Sequence, residues 1–114
     1  MRIFDPKMSM ERDAAGRFSI KSYVPNGGSY DIEDFSNIRK KSNEKFLSAV
    51  TNIIENILGL NKSDQPLRTL ETIDLYEAPN GHIVEVVQDQ FYGLMVESED
   101  KEIIEKIYKE LIKE

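Results

Sequence analysis

Phe46, Val50, Ile53, Ile54, Ile57 and Leu58 stand at i, i+4, i+7, i+8, i+11 and i+12. That spacing draws one wide apolar stripe down a helix and fits no strand. Isoleucine favours strands, but a helical period held over this length outweighs a weak intrinsic preference. The spacing predicts a helix with Ser42 as a candidate N-cap and Gly59 as its stop. A shorter apolar series, Ile32, Phe35 and Ile38, precedes it behind Asp31, which can cap a first turn. One helix or two between Asp31 and Leu58 are both compatible with the pattern. Either way the stripe must be buried against something, and the rest of the chain has to supply that surface.

The surface is predicted to be a sheet. Phe18, Ile20 and Val24 alternate with Ser19, Lys21 and Tyr23, the period-two pattern of a half-buried strand over Arg17 to Val24. Asp13-Ala14-Ala15-Gly16 before it and Pro25-Asn26-Gly27-Gly28 after it read as turns. Ile3, Phe4, Met8 and Met10 suggest a partner strand that Pro6 weakens. Asn61 to Pro66 reads as a loop. Three strands then follow closely. In Leu70 to Glu77, Ile73 and Leu75 face one way and Leu70, Thr72 and Tyr76 the other. Ile83 to Val87 is apolar on both faces except at Glu85, as expected of a strand with neighbours on both sides. In Phe91 to Val96, Leu94 and Val96 oppose Phe91 and Met95, and Gly93 marks a bulge or a close helix contact. Pro79-Asn80-Gly81 and Asp89-Gln90 are the turns between them, and Asn-Gly is a strong hairpin signal. The last segment is a second amphipathic helix capped by Ser98 or Asp100, with Ile103, Ile104, Ile107, Tyr108, Leu111 and Ile112 on its apolar face. Glu102–Lys106 and Glu105–Lys109 are candidate i, i+4 pairs. The expected fold is a single α+β domain over residues 1–114: an antiparallel sheet in the order β-β-α-β-β-β-α, with both helices on one face. The expected core is Phe46, Val50, Ile53, Ile57, Ile83, Leu94, Val96, Ile104, Ile107 and Leu111.

Composition narrows the function. The chain has 114 residues, 39% of them hydrophobic and 32% charged, which is ordinary for one globular domain. A net charge of −6 gives no pull toward nucleic acid or anionic lipid. The one concentrated basic spot is Arg39-Lys40-Lys41 with Lys45 behind it, read as a solvated face in preference to a phosphate contact. With no cysteine, disulfides, thiolate metal sites and cysteine nucleophiles are excluded. No apolar run reaches the roughly 18 residues of a membrane span, and the first residues lack the apolar stretch of a signal peptide. A cytoplasmic protein that does not insert into membranes is expected.

The residue types that carry chemistry do not converge in the sequence. His82 is the sole histidine. Its nearest candidate partners are Glu85, which should point to the opposite face, and Glu77 or Tyr76 across a strand pair. It directly follows a tight turn and is expected to be dispensable. Glu97, Glu99, Asp100 and Glu102 are explained as acids leading a helix, without a metal. Gly27-Gly28 lacks the spaced glycines and Lys-Ser/Thr of a phosphate loop. The scattered aromatics lack the basic groove that single-stranded nucleic acid needs. The final helix alternates Glu with Lys, which excludes the basic helix of a double-stranded RNA reader. No catalytic residue, metal or cofactor is assigned, and the chain is expected not to be an enzyme.

Two strands, a helix, three strands and a helix is the order found in longin, roadblock and profilin-like folds, and two stretches add to the likeness. Gly16-Arg17-Phe18-Ser19-Ile20-Lys21-Ser22-Tyr23-Val24-Pro25 resembles the second strand of the longin-like small chains of clathrin adaptors. Phe91-Tyr92-Gly93-Leu94-Met95-Val96-Glu97-Ser98-Glu99-Asp100-Lys101-Glu102 resembles their last strand running into an acidic helix start. The first strand, Ile3-Phe4-Asp5-Pro6-Lys7-Met8, is less apolar than theirs. The resemblance implies a non-catalytic interaction or scaffolding module that partners small GTPases, trafficking or assembly complexes, or its own copies. Leu70 to Glu77 is then expected to be a sheet edge, without lysine or internal proline to guard it. Thr69, Glu71, Ile73 and Leu75 are the expected contact residues of a homodimer or heterodimer. Two other classes stay open on the residues alone: an acidic inhibitor that occupies another protein's basic groove, and a small-molecule-binding domain using His82 and carboxylates.

Overall fold

The computed structural model describes residues 4–9, 16–24, 31–64, 72–89 and 93–113. The described elements are strands β1 (Asp5–Met8) and β2 (Phe18–Tyr23), helix α1 (Ile32–Asn52) running on into a π-helical turn (Ile53–Ile57), strands β3 (Asn61–Lys62), β4 (Thr72–Glu77), β5 (Ile83–Asp89) and β6 (Gly93–Ser98), and helix α2 (Lys101–Leu111). The six strands form one sheet in the order β1-β2-β6-β5-β4-β3, antiparallel at every step. Pro6 is accommodated because β1 is the sheet edge, where a missing N–H costs no ladder bond. The Asp13–Ala15 and Pro25–Gly28 turn residues, and the start of the predicted Leu70 and Phe91 strands, lie outside the described residues.

Asp31 caps α1, its carboxylate accepting from the Asp34 N–H at 2.8 Å. The helix is continuous, so Ser42 is not an N-cap; it sits buried in mid-helix, where a small side chain fits. Beyond Asn52 the hydrogen bonding loosens by one residue, and the Leu58 N–H reaches the Ile53 carbonyl at 2.9 Å, five residues back. Gly59 then ends the segment with φ +67, a conformation that a Cβ would strain. The π turn has a direct consequence for the core. Each extra residue per turn rotates the stripe backward, so Phe46, Val50, Ile53 and Ile54 are fully buried while Ile57 emerges 51% exposed. The expectation that Ile57 is a core residue is corrected on that ground, and Ile83 is only half-buried.

The core unites these helix residues with Ile20, Tyr76, Val84, Val86, Leu94 and Val96 from the sheet and Ile104, Ile107 and Leu111 from α2. Phe4 meets Phe46 edge to face, with ring centroids 5.6 Å apart. Tyr76 is completely buried, and among the described residues its hydroxyl has no hydrogen-bond partner of ordinary length, the Thr51 side chain being only a weak one. Burial, then the Asp74 and Glu55 charges, push its pKa up to about 12; the Thr51 side chain pulls weakly the other way.

Two features of the sheet depart from the sequence pattern. A bulge between Thr72 and Asp74 breaks the alternation of β4. Ile73 therefore packs toward the same core as Tyr76, while Leu75 pairs with Glu85 and is buried away from that core. The second departure is β3, which adds an element to the expected order. Asn61 pairs with Glu77 and Lys62 with Tyr76, and the Ser63 N–H reaches the Leu75 carbonyl at 2.8 Å. The residues expected as loop thus cover the C-terminal half of β4, so β4 is not the sheet edge. Lys62 also approaches Asp74 at 3.6 Å, giving this side the lysine guard that β4 itself lacks.

Candidate functional site

Three arrangements involve the residues that carry charge or chemistry. The first is a groove along the flank of α1. Ser36, Arg39, Lys40, Asn43, Glu44 and Leu47 recur at helical spacing on one side of α1. They face Ile73 of β4, Gln88 of β5 and Leu94 of β6 across a groove of about 410 Å³. Its floor is aliphatic, and its helix wall sets the basic Arg39 and Lys40 beside Ser36, Asn43 and the acidic Glu44. Gly93 makes this approach possible. A Cβ there would lie 3.3 Å from Asn43 Oδ1 and 3.4 Å from Arg39 Nη2, and the φ of +80 would strain it as well. The expected close helix contact at Gly93 is therefore present. The basic spot expected at 39–41 is divided: Arg39 and Lys40 line the groove, whereas Lys41 is exposed outside it.

The second arrangement lies at strand positions alternate to the core, so it belongs to the other side of the sheet. Glu85 and Glu97 are direct cross-strand partners in the β5–β6 ladder. Like charges so placed repel. Arg17, one residue before β2, resolves the conflict: its Nη1 donates to Glu85 Oε2 and to Glu97 Oε2, each at 3.0 Å. Thr72 of β4 donates its hydroxyl to the other oxygen of Glu85. Side chains from β4, β5, β6 and the start of β2 are laced together by this one network. Both Glu85 oxygens are thereby committed as acceptors, which makes the group a structural stitch. Glu97 is a buried strand residue and not, as expected, one of the acids leading α2. Beside the network, Ser98, Ile83 and His82 help to line a cavity of about 140 Å³, enough for a few waters and too small for a substrate.

The third arrangement corrects the expectation for His82, which does have a fixed partner. Its Nδ1 lies 3.0 Å from Asp100 Oδ2, and the Asn80 amide donates to the same oxygen at 2.9 Å. Asp100 Oδ1 meanwhile accepts from the N–H groups of Glu102 and Ile103, which makes Asp100 the N-cap of α2. Ser98 accepts from the Asp100 N–H and donates to the Ile83 carbonyl. The β4–β5 turn, closed by the Gly81 N–H on the Ala78 carbonyl, is thus pinned to the start of α2. Burial alone would raise the Asp100 carboxyl. Hydrogen bonds from His82, Asn80 and Ile103, with the His82 charge, outweigh burial and hold it below the ordinary aspartate value. A depressed carboxyl stabilises the fold above its unfolded-state pKa and stops doing so as pH falls through its folded value. Asp100→Asn is therefore expected to lower the unfolding free energy at pH 7 by about 1 kcal/mol and to make it fall less steeply with acid than in the parent, as read by urea titrations followed by circular dichroism at neutral and acid pH. His82→Gln, which keeps a donor, is expected to lose less than Asp100→Ala.

Among the described residues no group of three or more His, Asp or Glu side chains is disposed to hold a metal ion, and no helix is long and apolar enough to cross a membrane. Of the four expected contact residues, Ile73 lines the α1 groove and Leu75 is buried; Thr69 and Glu71 lie outside the described residues. Arg17 was not singled out by its sequence context. The available signal was Glu85, a lone acid inside an apolar strand, which requires a counter-charge. No family model, curated protein or solved structure matches the chain.

Proposed function

We propose that the chain is a non-catalytic protein-interaction module that receives a protein partner along the flank of α1. The observation that carries this reading is the groove of about 410 Å³ with an aliphatic floor of Leu47, Ile73 and Leu94 under Arg39, Lys40 and Asn43. Apolar anchors surrounded by polar and basic groups are what a docking surface requires. In this reading both helices cover one face of the sheet, supported by their shared contacts with β2 and β6 and with each other. Ile73 belongs at once to the groove and to the expected β4 contact surface, with Thr69 and Glu71 beside it in sequence. Small GTPases, trafficking or assembly components and a second copy of the chain are the partner classes that the longin and roadblock resemblance implies.

Ser36 is exposed and lines the groove, so Ser36→Trp fills it without touching the core. Protein captured from the native cell by the tagged chain is expected to be lost by Ser36→Trp while the thermal midpoint stays within about 2 °C. Light scattering of the purified chain at low and high salt identifies a second copy as the partner if a dimer mass appears and Ser36→Trp abolishes it. Capture and mass that are both indifferent to the tryptophan overturn the groove as the binding surface.

A further inference from the structure

The π turn and the end of α2 present a second surface that the core does not use. Ile57 and Ile112 are 51% and 42% exposed, although both belong to apolar helix faces in the sequence. Next to Ile57, Leu58 joins Ile112, Lys106, Lys109, Glu110 and Lys113 around a groove of about 430 Å³. The three lysines stand at i, i+3 and i+7, one side of a helix. The expected pairs Glu102–Lys106 and Glu105–Lys109 do not form. Glu105 goes instead to Lys101 at 3.8 Å, and Glu110 to Lys113 at 3.1 Å. Among the described residues Lys106 and Lys109 therefore make no ion pair. A cation in the last turn offsets the helix dipole, which accounts for Lys109. It does not account for Lys106 a turn earlier, or for Ile112 left exposed in the same groove. In a chain of net charge −6 this is a local reversal of sign around exposed aliphatic surface.

We propose that this surface docks an acidic amphipathic segment of a protein partner, its carboxylates over Lys106 and Lys109 and its aliphatic side chains on Leu58 and Ile112. Leu58, which closes the π turn, stands at the groove wall. An anionic membrane has the same charge and apolar character, but a chain this acidic is repelled from it as a whole. The site shares no residue with the α1 groove and stands without it.

The probe is a fluorescein-labelled peptide of about 15 residues, glutamate on one helical face and leucine on the other. A second peptide with lysine for glutamate, and liposomes of phosphatidylcholine with phosphatidylserine, complete the set. The chain is expected to bind the glutamate peptide at least about tenfold tighter than the lysine peptide, more weakly as salt rises. K106E combined with K109E should weaken it about tenfold, and Ile112→Ser about fivefold. Ser36→Trp should leave it unchanged, which separates this site from the first. Amide resonances of residues 57–58 and 106–113 should move on titration of the parent chain. Equal binding of the two peptides, indifference to the double charge reversal, shifts confined to other residues, or binding of the liposomes in place of the peptide would each overturn the proposal.

Discussion

Arg17→Met is expected to destabilise the fold by about 3 kcal/mol, because it leaves two buried carboxylates facing each other without a cation. The value is at the low end for a broken buried pair, since the Arg17 side chain is 26% exposed and water can reach part of the network. Glu85 has no such relief, being almost wholly enclosed and tied to Thr72 as well. Urea titration reads the loss, and the thermal midpoint should fall by about 10 °C or more. The diagnostic result is the rescue. Adding Glu97→Gln to Arg17→Met removes the cross-strand repulsion and should recover a good part of the loss, whereas Glu97→Gln alone should be mildly destabilising. A single Arg17→Met that unfolds at the parent's denaturant midpoint would show that the guanidinium contributes nothing.

Phe46→Ala should be the other severe change, at about 3–5 kcal/mol, with Ile53→Ala at about 2–5 kcal/mol. Both side chains are fully buried, and Phe46 also holds the Phe4 ring that anchors the start of β1. The informative contrast is Ile57→Ala, which should cost under about 1 kcal/mol, because half of that side chain is already in water. A regular α-helix would bury Ile57 on the same stripe as Ile53 and make the two losses alike. Equal losses in urea titration would therefore rule out the π turn.

Most of the fold was legible because it rests on periodicity. The apolar faces of α1 and α2, the alternation in β2, and the doubly buried β5 all follow from spacing, and the Asn80-Gly81 turn follows from its residues. What escaped was decided by hydrogen bonds that leave no mark on the hydrophobic pattern. The π turn is one slipped bond in an unbroken apolar run. The bulge in β4 turns Ile73 toward the core and Leu75 away from it, although strict alternation would send them the same way. Two polar residues, Asn61 and Lys62, pair as β3 only because Glu77 and Tyr76 present open backbone there. The candidate site was less legible still. Arg17 acts on acids far along the chain, and Asp100 reaches His82 only because the hairpin folds back over the start of α2.

The strand order has a consequence for how this chain reaches its native state. Arg17 and Glu97 are 80 residues apart, and β2 has no neighbour on its inner side until β6 exists. The meander of β4, β5 and β6 closes through short connections and can form as a local unit. The β1–β2 pair must wait for it, bearing the entropy of a long closed loop before any of that ladder's hydrogen bonds are gained. During synthesis the first two strands emerge well before their partner and pass that interval with an apolar face, Phe18 and Ile20, uncovered. It is the stage at which the chain is most open to misassociation and to a chaperone.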